Sequence, residues 1–254
     1  MREDWPAAVR TIRAATGAAS VQAMAHCVGA MSLLMALLDG MQGVRSLIAS
    51  QLTLHPVTNW LNAAKADIGL VRLLEGYAPL QGRFDSVPGT TDLDRTIDTL
   101  AYQLPVPEGE ACKNPLCRRV FAVFGPSWTH SQLNHATHTA LAGMFGTVSL
   151  HPFEQLSVIM QRGKAVDADG NDCYATPANA PRLALPISFM AGADNQLFFP
   201  ETSLRTQAWL QRYNDPALYR RQVFEGYAHM DLFVGRSAAR EVYPWLVAEL
   251  DRFN

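Results

Sequence analysis

Residues 21–38 restrict the fold more than any other stretch. A short apolar run, Val21-Gln22-Ala23-Met24-Ala25, passes through His26-Cys27-Val28 into a helix-like run, Met31-Ser32-Leu33-Leu34-Met35-Ala36-Leu37-Leu38. A strand that feeds a helix through one tight turn, with a nucleophile-type residue at the apex and small residues two positions to either side, is the layout of a nucleophile elbow. Ala25 and Gly29 are those small residues, and bulky side chains there are expected to collide with the neighbouring strand and helix. Cys27 also reads as one more buried thiol at a strand end, because free cysteine is among the most buried residue types.

The far end of the chain favours the first reading. Leu185-Pro186-Ile187-Ser188-Phe189-Met190-Ala191-Gly192 reads as a buried strand that delivers Ala193-Asp194-Asn195 into a loop. Tyr219 to Gly226 reads as a further strand, and Tyr227-Ala228-His229-Met230-Asp231 follows it. A nucleophile, an acid past a later strand and a histidine past the last strand stand in the chain order that α/β-hydrolases use.

At these residues the sequence resembles the α/β-hydrolase superfamily. The run Gly226-Tyr227-Ala228-His229-Met230-Asp231-Leu232-Phe233-Val234-Gly235 and the segment His26-Cys27-Val28-Gly29-Ala30 are similar to the hydrolase module behind a flavin-dependent GMC-type oxidoreductase in bacterial fusion proteins. Gly43 to Gln51 fits the same module, so the resemblance covers residues 1–55 and 183–254. It implies an α/β fold in which a mostly parallel sheet is flanked by helices. It also implies a triad of Cys27, His229 and Asp194, with the Val28 N–H as an oxyanion donor. The implied activity is hydrolysis or transfer of a hydrophobic ester or thioester, and the implied partner is an upstream hydrolase segment or a GMC-type domain.

The expected chemistry is that of a thiolate. A helix N-terminus beside Cys27 and an imidazole within reach would both lower a thiol pKa. His229 would carry the proton and Asp194 would fix its tautomer. His26 adjoins the nucleophile, but consecutive strand side chains point to opposite faces, which argues against it as a base. Asp231 is a second candidate acid, or a cap for the next turn.

The chain has 254 residues, 48% of them hydrophobic and 17% charged, enough for a large core. A net charge of −2 gives no electrostatic basis for binding nucleic acid or an anionic membrane. Residues 21–38 are apolar enough to raise the question of a membrane span, yet His26, Gln22 and Gly29 interrupt them, so a buried strand and helix fits better. No secretory signal opens the sequence, and a cytoplasmic location is expected.

From Val57 to Pro181 the texture changes to helical periodicity punctuated by prolines, and 57–181 reads as a cap inserted into a core of 1–56 and 182–254. Four cysteines, at 27, 112, 117 and 173, make no disulfide scaffold, and Cys112 and Cys117 read as a reduced pair. His130, His135 and His138 raise a metal site, but no further ligand stands at a recognised spacing, so no metal is expected. Asp167, Asp169 and Asp172 form a solvated turn lacking the pattern of a calcium loop. No Gly-x-Gly-x-x-Gly or Walker loop is present, so no cofactor is expected.

Only one helix and one strand precede Cys27, whereas the complete fold has about four strands before its elbow and draws a second oxyanion donor from an early loop. Strand 21–26 is therefore expected to be an unpaired edge. Losing one oxyanion donor typically costs ~10²–10³ in rate.

Overall fold

The computed structural model describes residues 3–69, 72, 76, 80 and 82–253. Helix α1 (Asp4–Thr16) ends at Gly17, whose φ of 70° lets its N–H turn back to Arg13 O. Strand β1 (Val21–His26) passes through Cys27 into α2 (Val28–Leu38), and β2 (Val44–Ser50) returns parallel to β1. Ala25 lies opposite Ala49 and His26 opposite Ser50.

Between β2 and the next sheet strand lie α3 (Trp60–Asp67), β3 (Arg83–Asp85), α4 (Asp92–Gln103), α5 (Pro115–Phe124), α6 (His135–Met144), β4 (Thr147–Ser149) and α7 (His151–Arg162). The region expected to be a helical cap thus also holds a small antiparallel pair, β3 with β4. Arg119 organises part of it: fully buried, it binds Asp98 at 2.5 Å and Asp94 at 3.2 Å and donates to the carbonyls of Asp85 and Val87.

The sheet resumes with β5 (Ile187–Gly192), α8 (Glu201–Leu210) and β6 (Tyr219–Phe224), followed by the short helices α9 (Asp231–Val234) and α10 (Ala238–Glu241) and then α11 (Tyr243–Asp251). The segment after Gly235 does not form one continuous helix. Pro244 lacks an N–H, and a break at Val242 places it in the first turn of α11.

Sheet order is β1-β2-β5-β6, with every pairing parallel. The alternation of strand side chains explains how it is buried on both faces. Leu47, Ala49, Ile187 and Phe189 join Leu33, Leu34 and Leu37 of α2 in one core. Ile48 and Met190 face the other way, onto Leu232, Val242 and Leu246. β1 lies at the sheet edge, paired only with β2 among the described residues, and its Met24 is 44% exposed. No helix of the described residues is long and apolar enough to cross a membrane.

Candidate functional site

Cys27 sits at the turn between β1 and α2 with φ 53° and ψ −131°. A positive φ at a residue with a Cβ is strained by ~1–3 kcal/mol, and surrounding hydrogen bonds hold it there. The Cys27 N–H donates to Ser50 O at 2.9 Å, while its carbonyl accepts from the N–H groups of Ala30 and Met31. The elbow is thus built as the sequence implied, although not for the steric reason given. A Cβ on Gly29 would meet only Trp5 Cζ2, at 4.0 Å, which is ordinary contact.

The reactivity expected of Cys27 is not what its surroundings give. The side chain packs against the apolar cluster of Met31, Leu52, Leu156, Leu197 and Phe198. Burial pushes the thiol up to about 12, and the Val28 N–H directed at it offsets this only in part. No hydrogen bond joins Cys27 Sγ to His229 or His26 among the described residues.

His229 is buried, and burial, followed by the neighbouring His26, holds its pKa well below the ordinary value. Its hydrogen-bond partner is Asn195, one residue beyond the expected acid: Asn195 Nδ2 lies 3.2 Å from His229 Nδ1. Asp194 is exposed and contributes a backbone N–H to Tyr227 O. A shift of one residue in this loop exchanges the outward side chain for the inward one, which is why Asp194 does not occupy the acid position.

The orientation of the Asn195 amide follows from backbone groups alone. Gln51, fully buried and at a φ of 72°, has Nε2 2.9 Å from both Ala228 O and His229 O, which can only accept. Its Oε1 must then face Gly192 N–H at 3.2 Å and Asn195 Nδ2 at 2.7 Å. Asn195 Oδ1 in turn takes the N–H groups of Leu197 and Phe198. The second Nδ2 hydrogen of Asn195 therefore points at His229 Nδ1, which accepts it, and the imidazole carries its own proton on Nε2. In a working triad the third group accepts from the histidine and leaves the opposite nitrogen free as a base. Here the polarity is reversed.

His26 takes a place the strand alternation did not give it. Its ring centroid is 4.7 Å from that of His229 and 4.9 Å from that of Phe233, and Nδ1 is 3.1 Å from Ser50 Oγ. The alternation rule holds within a strand and stops at Cys27, where φ turns positive. Burial lowers the His26 pKa to about 4, so both adjacent imidazoles are neutral at pH 7.

Asp231 is a loop clamp. Its Oδ2 accepts from the N–H groups of Ala228 and Thr129, each at 3.0 Å, and burial raises its pKa to about 6. Further bonds join the same two stretches: Met230 N–H to Ser127 O, Gln132 Nε2 to Gly226 O, and Arg236 N–H to Gln132 O. Gly192 is obligatory beside this clamp, since a Cβ would come within 2.2 Å of Tyr227 O and 2.4 Å of Ala228 O.

An open cavity of about 610 Å³ begins at Val28 and runs along α2 and α7, past Met31, Met35, Leu156 and Tyr174. Cys27 does not line it. The Asp167 turn closes on itself, with Asp167 Oδ1 accepting from the N–H groups of Asp169 and Asn171. Away from the elbow, the fold gathers Cys112, Cys117, His130 and His138 into one cluster of possible metal ligands.

No family model matches the sequence, and no curated protein matches it. Solved structures do share its fold. A soluble variant of monoglyceride lipase from Saccharomyces cerevisiae is 15% identical with a TM-score of 0.58, over 99% of this chain and 68% of that one. A thermostable carboxyl esterase from Bacillus coagulans is 14% identical with a TM-score of 0.56, over 100% of this chain and 71% of that one. An acetylester hydrolase from Corynebacterium glutamicum is 14% identical with a TM-score of 0.54, over 99% and 66%. The class defined is therefore an α/β fold of the hydrolase type, with a mostly parallel sheet flanked by helices.

Proposed function

We propose that this chain is a hydrolase-fold module whose Cys27 centre accommodates an apolar acyl group without cleaving it. The observation that carries this reading is the Asn195 amide donating to His229 Nδ1, which leaves the imidazole no free base on Nε2. Reversing the third group's role in a triad by an Asp-to-Asn change leaves geometry intact and lowers turnover by ~10⁴. A neutral thiol surrounded by Met31, Leu52 and Phe198 agrees with it. The acyl preference rests on those apolar surroundings and on the esterase and lipase chemistry of proteins that share the fold. The motif resemblance supports a place beside a flavin-dependent GMC-type oxidoreductase.

A second reading keeps Cys27, His229 and Asn195 as a Cys-His-Asn hydrolase, a combination that works in papain-like enzymes. The strained φ at Cys27 favours it. It requires Asn195 to turn its Oδ1 to the imidazole and abandon the N–H groups of Leu197 and Phe198.

Iodoacetamide labelling at neutral pH, mapped by mass spectrometry, separates the two. Cys173 is exposed and should be modified early, and Cys27 late. Hydrolysis of short p-nitrophenyl esters and acyl thioesters should not change on Cys27→Ala. A fall of roughly tenfold or more on that substitution, with Cys27 labelled first, would establish the cysteine hydrolase.

A further inference from the structure

We propose that Cys112, Cys117, His130 and His138 bind one zinc ion in a closed, structural site. The four ligand atoms all lie within 4.8 Å of one another. His138 Nε2 is 3.4 Å from Cys112 Sγ and 3.3 Å from Cys117 Sγ. A zinc tetrahedron with Zn–S of about 2.3 Å and Zn–N of about 2.0–2.1 Å has sulfur-to-nitrogen edges of about 3.6 Å, so only small adjustments are needed.

Surrounding groups prepare the ligands. His130 Nδ1 is 2.6 Å from Glu110 Oε2, and the same carboxylate accepts the His130 backbone N–H. A carboxylate behind a ligating imidazole fixes the ring and its tautomer, as metal sites commonly require. The other nitrogen, His130 Nε2, is buried and has no hydrogen-bond partner. A lone pair left unsatisfied in this way costs free energy unless something accepts it, and a cation at the centre of the cluster would. Asn114 N–H donates to Cys112 Sγ at 3.3 Å, a bond that suits a thiolate.

Two sulfurs and two imidazoles match the donor set of structural zinc. Binding releases one proton from each thiol, so the dication meets two thiolates and the site is neutral overall. Cys112 precedes α5, Cys117 lies in its first turn, His130 opens a short 3-10 turn and His138 belongs to α6. Leu116, Val120, Trp128 and Leu141 form the small apolar cluster around them. Zinc would cross-link this part of the 57–181 segment and, through the bonds of 127–132 to 226–236, steady the loop that carries His229.

The spacing is Cys-x4-Cys-x12-His-x7-His. Its first two intervals lie near those of zinc sites and the last is longer, so the expectation of no metal, which found no cysteine or carboxylate at a recognised spacing from the histidines, is revised here. The two cysteines supply the ligands that the histidine spacing lacked.

The test is elemental analysis of the full chain expressed with zinc and purified without chelator. About one zinc per chain is expected, released by a mercurial that blocks thiols. Cobalt added to the chelated protein should give thiolate charge-transfer bands and the visible bands of a tetrahedral ion. Cys112→Ser and His138→Ala should each lower zinc to under about 0.1 per chain, whereas Cys173→Ser should retain it. If those variants are insoluble, the zinc content and cobalt spectrum of the unaltered chain decide. A metal-free protein without the cobalt bands, a Cys112–Cys117 disulfide under these conditions, or zinc retained when both cysteines are replaced would each overturn the proposal.

Discussion

Gln51→Glu tests the amide orientation on which the reading of the site depends. The substitution keeps size and shape but replaces the two hydrogens of Nε2 by at most one. Those hydrogens satisfy Ala228 O and His229 O, both 2.9 Å away at a residue with no exposure. If the glutamate stays protonated, one carbonyl loses its donor, at ~1–3 kcal/mol. If it ionises, a buried carboxylate faces two carbonyl oxygens, which is worse, so the folded state raises its pKa. Holding the proton at pH 7 against an unfolded pKa of about 4.3 costs roughly 4 kcal/mol more. A raised folded pKa means the variant keeps its stability below about pH 4.3 and loses it as pH rises. Its deficit relative to the unaltered protein should therefore be about 3 kcal/mol larger at pH 7 than at pH 4.5. For a chain of this size that is roughly 6–12 °C in Tm. Thermal melts of both proteins by far-ultraviolet circular dichroism measure it. Gln51→Met, which removes the amide without adding a titrating group, should show the same deficit at both pH values. Equal deficits for Gln51→Glu at the two pH values would refute the assigned orientation, and with it the tautomer assigned to His229.

Acid should unfold the protein through its histidines. His26 and His55, held at about 4, and His229, held well below its ordinary value, are all neutral in the fold and take up a proton near 6.5 when unfolded. Stability is then complete above about pH 6.5 and declines towards pH 4, by roughly 3 kcal/mol for His26 alone; His26→Gln should flatten a urea-midpoint profile across that window, and an unchanged slope would contradict its buried neutral state. Gly192→Ala should destabilise by more than about 3 kcal/mol or prevent folding, because its methyl would meet backbone oxygens that cannot move aside. A Tm within about 2 °C of the parent would show that β5 and the histidine loop are farther apart than described.

The β1–α2 junction was readable because it combines an apolar run, small flanking residues and a helical period in eighteen consecutive residues. β2 stops at Ser50, because Gln51 adopts a left-handed φ that nothing in its chemistry announces. Asp194 and Asp231 were the candidate acids on residue type, and only the packing of the loop against Gln51 turns Asn195 inward instead. The sulfur–imidazole cluster was legible only in part, since its ligands spread over three elements whose approach depends on tertiary packing. The parallel, helix-flanked sheet followed from local pattern, whereas the site depends on side-chain directions at loop ends, where periodicity gives no guidance.

The Asp231 clamp bears on how the elbow is reached. One carboxylate oxygen holds a backbone amide from each of two loops, and three further bonds close the same seam between 127–132 and 226–236. Such a seam breaks all at once or not at all, in the manner of a cooperative unfolding unit. A small molecule approaching Cys27 over this side would have to wait for that event, whereas the cavity along α2 and α7 lies outside the seam. The cavity reaches Val28 but not Cys27, and the loop that carries His229 is the part this seam holds in place.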